Sequence, residues 1–125
     1  MEKFDDLMKE FDLDFFGGGK HKINLEKAME LYREGKATFI DVRTDEEVEC
    51  VSLGFVTHIP VQQIPGRLSE IPKDKTVILF CFSATRATIV YTYLKVNEFK
   101  DVKILTNTLA DIAGFFKPGY VLKNR

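Results

Sequence analysis

The sequence predicts an α/β fold, a single domain built on a mostly parallel central sheet with helices on both faces. Three observations predict it. The runs Ala37–Val42 (ATFIDV), Thr76–Cys81 (TVILFC) and Val102–Thr106 (VKILT) are near-continuously apolar and rich in β-branched and aromatic residues, as buried parallel strands are. Segments with helical spacing fit between them. The 125 residues, 45% hydrophobic and 30% charged, suffice for one compact core and leave no room for a second.

Residues 1–16 carry Phe4, Leu7, Met8 and Phe11 on one face of a short amphipathic helix. Such a helix is too short to persist alone. Its apolar face, continued by Leu13, Phe15 and Phe16, therefore needs the domain surface, a second subunit, or no order at all. The segment is also acidic, with six acids against two lysines, while the rest of the chain is mildly basic. Gly17-Gly18-Gly19-Lys20 then forms a flexible turn and lacks the spacing and preceding strand of a phosphate loop. The expected organisation is an N-terminal extension and glycine-rich turn over 1–21, followed by the domain proper over 22–125.

Asn24 is a helix N-cap, and Leu25, Ala28, Met29 and Tyr32 repeat at helical spacing up to a stop at Gly35, which predicts a helix over 25–34. After Cys81 the β-branched residues Thr85, Thr88, Ile89, Val90 and Thr92 have mediocre helix propensity. Ala87, Val90, Tyr91 and Leu94 nevertheless keep helical spacing, and the spacing predicts a helix. In parallel sheets ligands bind beyond the C-terminal strand ends, where Asp41, Cys81 and Thr106 fall.

Composition narrows the function classes. The balance of 18 basic and 19 acidic residues, interspersed, argues against a nucleic-acid partner. No stretch approaches the roughly 20 apolar residues of a membrane span, so no membrane partner and a cytoplasmic location are expected. Cys50 and Cys81 form no CxxC pair, and His21 and His58 stand apart from any carboxylate cluster, so no disulfide, metal or other cofactor is indicated.

The chemistry concentrates in TVILFCFSATRATIVYTYL, a buried strand ending in Cys81, a turn Phe82-Ser83-Ala84-Thr85, and Arg86 opening a helix. A sulfur at the mouth of such a turn faces backbone N–H groups without intrahelical acceptors, and these with the helix dipole stabilise negative charge. The same donors can hold the outer sulfur of a persulfide or the oxyanion of a donor. Arg86 is placed to brace the loop or attract an anionic donor. Ser83 and Thr85 offer hydroxyls to the cavity, and Phe82 a wall. The plainer alternative for Cys81 is a small buried hydrophobe ending a strand.

Over about residues 22–120 the chain resembles the rhodanese family. FIDVRTDEE is similar to the family's strand-borne Asp-Val-Arg followed by a glutamate, and CFSATRA to its active-site loop from Cys to Arg. VTHIP, IPKDKTVILF and NEFKDVKIL are similar to the segments between and after those motifs. The resemblance implies a sulfurtransferase that carries a persulfide on Cys81. The implied donor is thiosulfate, polysulfide or a protein persulfide, and the acceptor a thiol, cyanide or a protein sulfur carrier. It also implies that Phe82, Ser83, Ala84, Thr85 and Arg86 form the substrate loop, while Asp41, Arg43 and Glu47 tie the first strand to the next helix and loops. Four residues separate Cys81 from Arg86, whereas phosphatases of related fold have five and a larger cavity.

Three departures from the family pattern stand out. Ala84 replaces a usual glycine and is expected to distort the N–H nest. Val51-Ser52 replaces Gly-His, and Asn107-Thr108 a Gly-Gly pair. These leave a second reading, a degenerate rhodanese-like binding or regulatory module, but a module freed from catalysis has no need to keep Cys81 and Arg86. Because the loop has one cation and a bulky aromatic, polysulfide or a protein persulfide is expected to outperform thiosulfate. Cys50 is expected in the core, and the protein as a monomer or homodimer.

Overall fold

A computed structural model of the chain describes residues 2–82 and 84–124. The elements run α1 (Glu2–Lys9), α2 (Leu13–Gly17), β1 (Lys22–Ile23), α3 (Leu25–Arg33), β2 (Ala37–Asp41), α4 (Asp45–Cys50) and β3 (Thr57–His58). Two 3-10 segments, Val61–Gln63 and Pro65–Glu70, precede β4 (Thr76–Phe80), α5 (Ala84–Val96), β5 (Val102–Leu105), α6 (Leu109–Phe115) and α7 (Pro118–Asn124). The five strands form one sheet in the order β1-β5-β4-β2-β3. All four pairings are parallel.

All five residues of β4 are buried, because the strand is central and covered on both faces. Its side chains alternate between two cores. Val77 and Leu79 join Val90, Tyr91 and Leu94 of α5 on one face. Ile78 and Phe80 join Leu25, Ala28 and Met29 of α3 and Ile112 of α6 on the other. Each such side chain stabilises by about 1.5–3 kcal/mol when fully buried. The helices sit where their caps and stops put them: Asn24 Oδ1 accepts from Lys27 N at 2.8 Å, and Gly35 ends the α3 segment at φ +73°.

The N-terminal segment is two short helices rather than one. Asp12 caps α2 by accepting from Phe15 N at 2.9 Å, and this cap breaks the run. Leu7 is buried and Phe11 and Phe15 pack against the α5-side core, so the extension folds onto its own domain. Lys3 pairs with Glu98 at 3.0 Å beside it. The sequence expectation for Cys50 is corrected. Cys50 is exposed, as the last residue of a six-residue helix with no buried positions.

Candidate active site

Cys81 follows the last residue of β4 and is half-buried against the α5-side core. It opens into a cavity of about 330 Å³. Its neighbours there come from three places: Phe82 and Ala84 in the loop with Ala87 and Thr88 of α5, His21 and Lys22 at β1, and the stretch from Ile104 to Thr108. The 13-residue α5 begins at Ala84, three positions after the sulfur, so the N–H groups of its first turn have no intrahelical acceptor. Ser83 lies outside the described residues.

The loop is gripped at two points by the segment joining β2 to α4. At the first, Asp41 and Arg43 form a fully buried ion pair, with Arg43 Nε 3.0 Å from Asp41 Oδ1 and Nη2 2.8 Å from Oδ2. Nη2 also donates to the Val51 carbonyl at 2.8 Å. The guanidinium lies between the rings of Phe80 and Phe82, 5.2 and 5.1 Å from their centroids. Arg43 thus presses against the residue next to Cys81, and the cation over two aromatic faces offsets part of its burial cost.

At the second point, Glu47 receives Arg86. Thr44 caps α4 in a reciprocal box with Glu47, whose Oε1 accepts from Thr44 N at 3.0 Å. The same carboxylate accepts from Arg86 Nη1 and Nη2 at 2.5 and 2.9 Å. These bonds, Arg86 first and the Thr44 amide second, hold the Glu47 carboxyl down at about 2. Arg86 is pushed above its ordinary value, by the Glu47 hydrogen bond first and, more weakly, by Cys81.

The placement revises several sequence expectations. Among the described residues Arg86 braces the loop through the Glu47 carboxylate and the Cys81 sulfur rather than through backbone carbonyls, and it is absent from the cavity lining. Thr85 is exposed and likewise absent from the lining, where Thr88 stands one turn later. Ala84 is the first residue of α5, a helical position that suits alanine better than glycine. Asn107 and Thr108 have work of their own: Asn107 Oδ1 accepts from Leu25 N at 2.7 Å, and Thr108 caps α6 with Asp111. The sequence reading weighs His21 only as a metal ligand and does not reach Lys22, because a two-residue strand leaves no periodic pattern to place either at the cavity.

Among the described residues no group of acids, histidines and cysteines is arranged to hold a metal, and no helix is long and apolar enough to cross a membrane.

A family model described as a rhodanese-like domain matches residues 24–114. The "Putative sulfurtransferase YtwF" of Bacillus subtilis (strain 168) is 35% identical over 83 residues, covering 66% of this chain and 75% of its own. A protein named "Sulfurtransferase" from Allochromatium vinosum is 36% identical over 55 residues, 44% of this chain and 51% of its own. Among solved structures, the NAD-dependent persulfide reductase from A. fulgidus superposes with a TM-score of 0.58 at 30% identity, over 78% of this chain and 17% of that one. With this match running from the cap of α3 through α6, and the Cys81 loop seated at the end of the central strand, the chain belongs to the family of rhodanese-like domains.

Proposed function

We propose that the protein is a sulfurtransferase that carries sulfane sulfur as a persulfide on Cys81. The observation that supports it most directly is the half-buried thiol opening into a cavity at the N-terminus of α5, on a loop clamped by Arg43 at Phe82 and by Glu47 at Arg86. Relatives named as sulfurtransferases support the broad activity.

In the first half of the cycle the Cys81 thiolate attacks the sulfane sulfur of thiosulfate, polysulfide or a protein persulfide. With thiosulfate the S–S bond breaks, sulfite leaves with the bonding pair, and Cys81 is left as Sγ–S⁻. The amides of the first turn of α5 stabilise that outer sulfur. In the second half cyanide, a thiolate or a protein carrier attacks the outer sulfur, and the Sγ–S pair returns to Cys81. Neither half needs a metal, a cofactor or an acid in the cavity. Asp41, Arg43 and Glu47 are positioning residues because each acts on the loop, whereas Arg86, held by Glu47, also reaches the Cys81 sulfur and favours its thiolate.

Intact mass of reduced protein after incubation with thiosulfate or polysulfide tests this reading. The expected result is a gain of one sulfur that is lost in Cys81→Ser and removed by a cyanide chase. Absence of an adduct with both donors would overturn it.

A further inference from the structure

The two arginines that frame the loop, Arg43 and Arg86, are both engaged. Arg43 is paired with Asp41, and Arg86 is shared between Glu47 and the Cys81 sulfur without lining the cavity where a donor would sit. Lys103 is turned to the flank, where its ammonium donates to the Lys20 carbonyl at 2.6 Å. His21 is held below its ordinary value by burial and then by Lys22 and Lys103, and its ring is stacked on Phe15 at 5.2 Å. Each of these influences favours the uncharged ring. Among the described residues lining the Cys81 cavity, Lys22 alone bears a full charge.

Sheet register places Lys22 on the side of the nucleophile. Lys22 is the partner of Ile104 on β5, and paired residues of a sheet project to the same face. Ile104 belongs to the core against which Cys81 packs, whereas the next pair, Ile23 and Leu105, belongs to the opposite core. No ion pair among the described residues involves Lys22.

We propose that Lys22 is the residue that selects anionic sulfur donors at Cys81, a cation supplied across the cavity by the edge strand and not by the loop. The proposal rests on the reading of Cys81 as the sulfur carrier. It makes a small dianion such as thiosulfate a competent donor although the loop's single arginine is held by Glu47 and Cys81. Attraction across a cavity opening to solvent acts within a Debye length of about 8 Å at physiological salt, so it is salt-sensitive.

The test uses the full chain in a Cys50→Ser background, which leaves Cys81 as the only thiol of the two in the sequence. Cys81 is labelled with neutral methyl methanethiosulfonate and with its anionic sulfonatoethyl analogue, and thiosulfate kcat/KM is measured in parallel. The ratio of anionic to neutral labelling rates is expected to fall about tenfold in Lys22→Glu and about threefold in Lys22→Gln, to survive in Lys22→Arg, and to shrink at high salt. Thiosulfate kcat/KM should follow the ratio. A ratio that stays the same in both Lys22→Glu and Lys22→Gln would overturn the assignment. A ratio that falls while the wild type gains no sulfur from any donor would uphold Lys22 and remove the persulfide reading instead.

Discussion

Arg86 and Glu47 face each other as a two-pronged ion pair across the gap between α5 and α4, with their side chains 31% and 25% exposed. Glu47 is fixed from behind by Thr44, so Arg86 docks onto an immobile carboxylate. A bidentate, charge-assisted pair of this kind holds both direction and distance, which a lysine at position 86 cannot reproduce.

Breaking that pair should loosen the loop before it unfolds the domain. A double-mutant cycle with Glu47→Gln and Arg86→Met is expected to give a coupling of about 1–2 kcal/mol in urea unfolding, above the usual value for exposed pairs. Arg86→Lys should keep the fold and slow sulfur loading of Cys81 by about tenfold, because displacing a reacting group by a fraction of an ångström is costly. Single-turnover loading, followed by mass, measures this. Unchanged loading in Arg86→Lys would contradict the bracing role.

The same pair sets an acid limit. Glu47 titrates near 2 in the folded chain against an ordinary value of 4.5, so its stabilising effect is complete above about 4.5 and is lost as the pH falls towards 2. The melting temperature of the wild type should therefore drop more steeply between pH 4.5 and 2 than that of Glu47→Gln. Parallel curves for the two proteins would show that the pair contributes nothing.

Removing Asp41 alone should be harsher than removing either member of the Arg86 pair. Asp41 and Arg43 are both fully buried, and Asp41→Asn leaves the guanidinium among Phe80, Phe82 and one carbonyl. The expected loss is about 3–5 kcal/mol in chemical denaturation. The double variant Asp41→Asn with Arg43→Met should recover part of it, since no buried charge is then left without its partner.

Ala84→Gly restores the family's usual residue and is expected to bring no gain. Because Ala84 opens α5 as a helical residue, glycine would add backbone freedom to the unfolded chain and cost about 0.5 kcal/mol. Thermal unfolding together with the labelling rate of Cys81 checks both halves of the prediction. A faster, more stable glycine variant would mean that the alanine is strained.

The central strands were legible because burial on both faces writes itself as unbroken apolar runs, and α5 because Ala87, Val90, Tyr91 and Leu94 keep one face despite poor propensity. The edge strands were not. With two residues each, Lys22–Ile23 and Thr57–His58 owe their form to a neighbouring strand and carry no period of their own. Cys81 and its loop could be found from the strand-turn-helix pattern. The partner of Arg86 could not, since the meeting of Glu47 and Arg86 is made by the pairing of β2 with β4 and not by any local signal. Cys50 was misplaced in the core because cysteine's average burial says nothing about the last residue of a short outer helix.

The double duty of Asn107 and Thr108 bears on how this chain can change. Each lines the cavity and each also caps a helix, α3 in one case and α6 in the other. A substitution that reshapes this rim for a new acceptor forfeits a cap, typically about 1 kcal/mol. Phe82 and Lys22 line the same cavity without capping any helix. Adaptation to new sulfur partners should therefore accumulate on the Phe82 and Lys22 walls, leaving the Asn107–Thr108 rim the conservative side of the pocket.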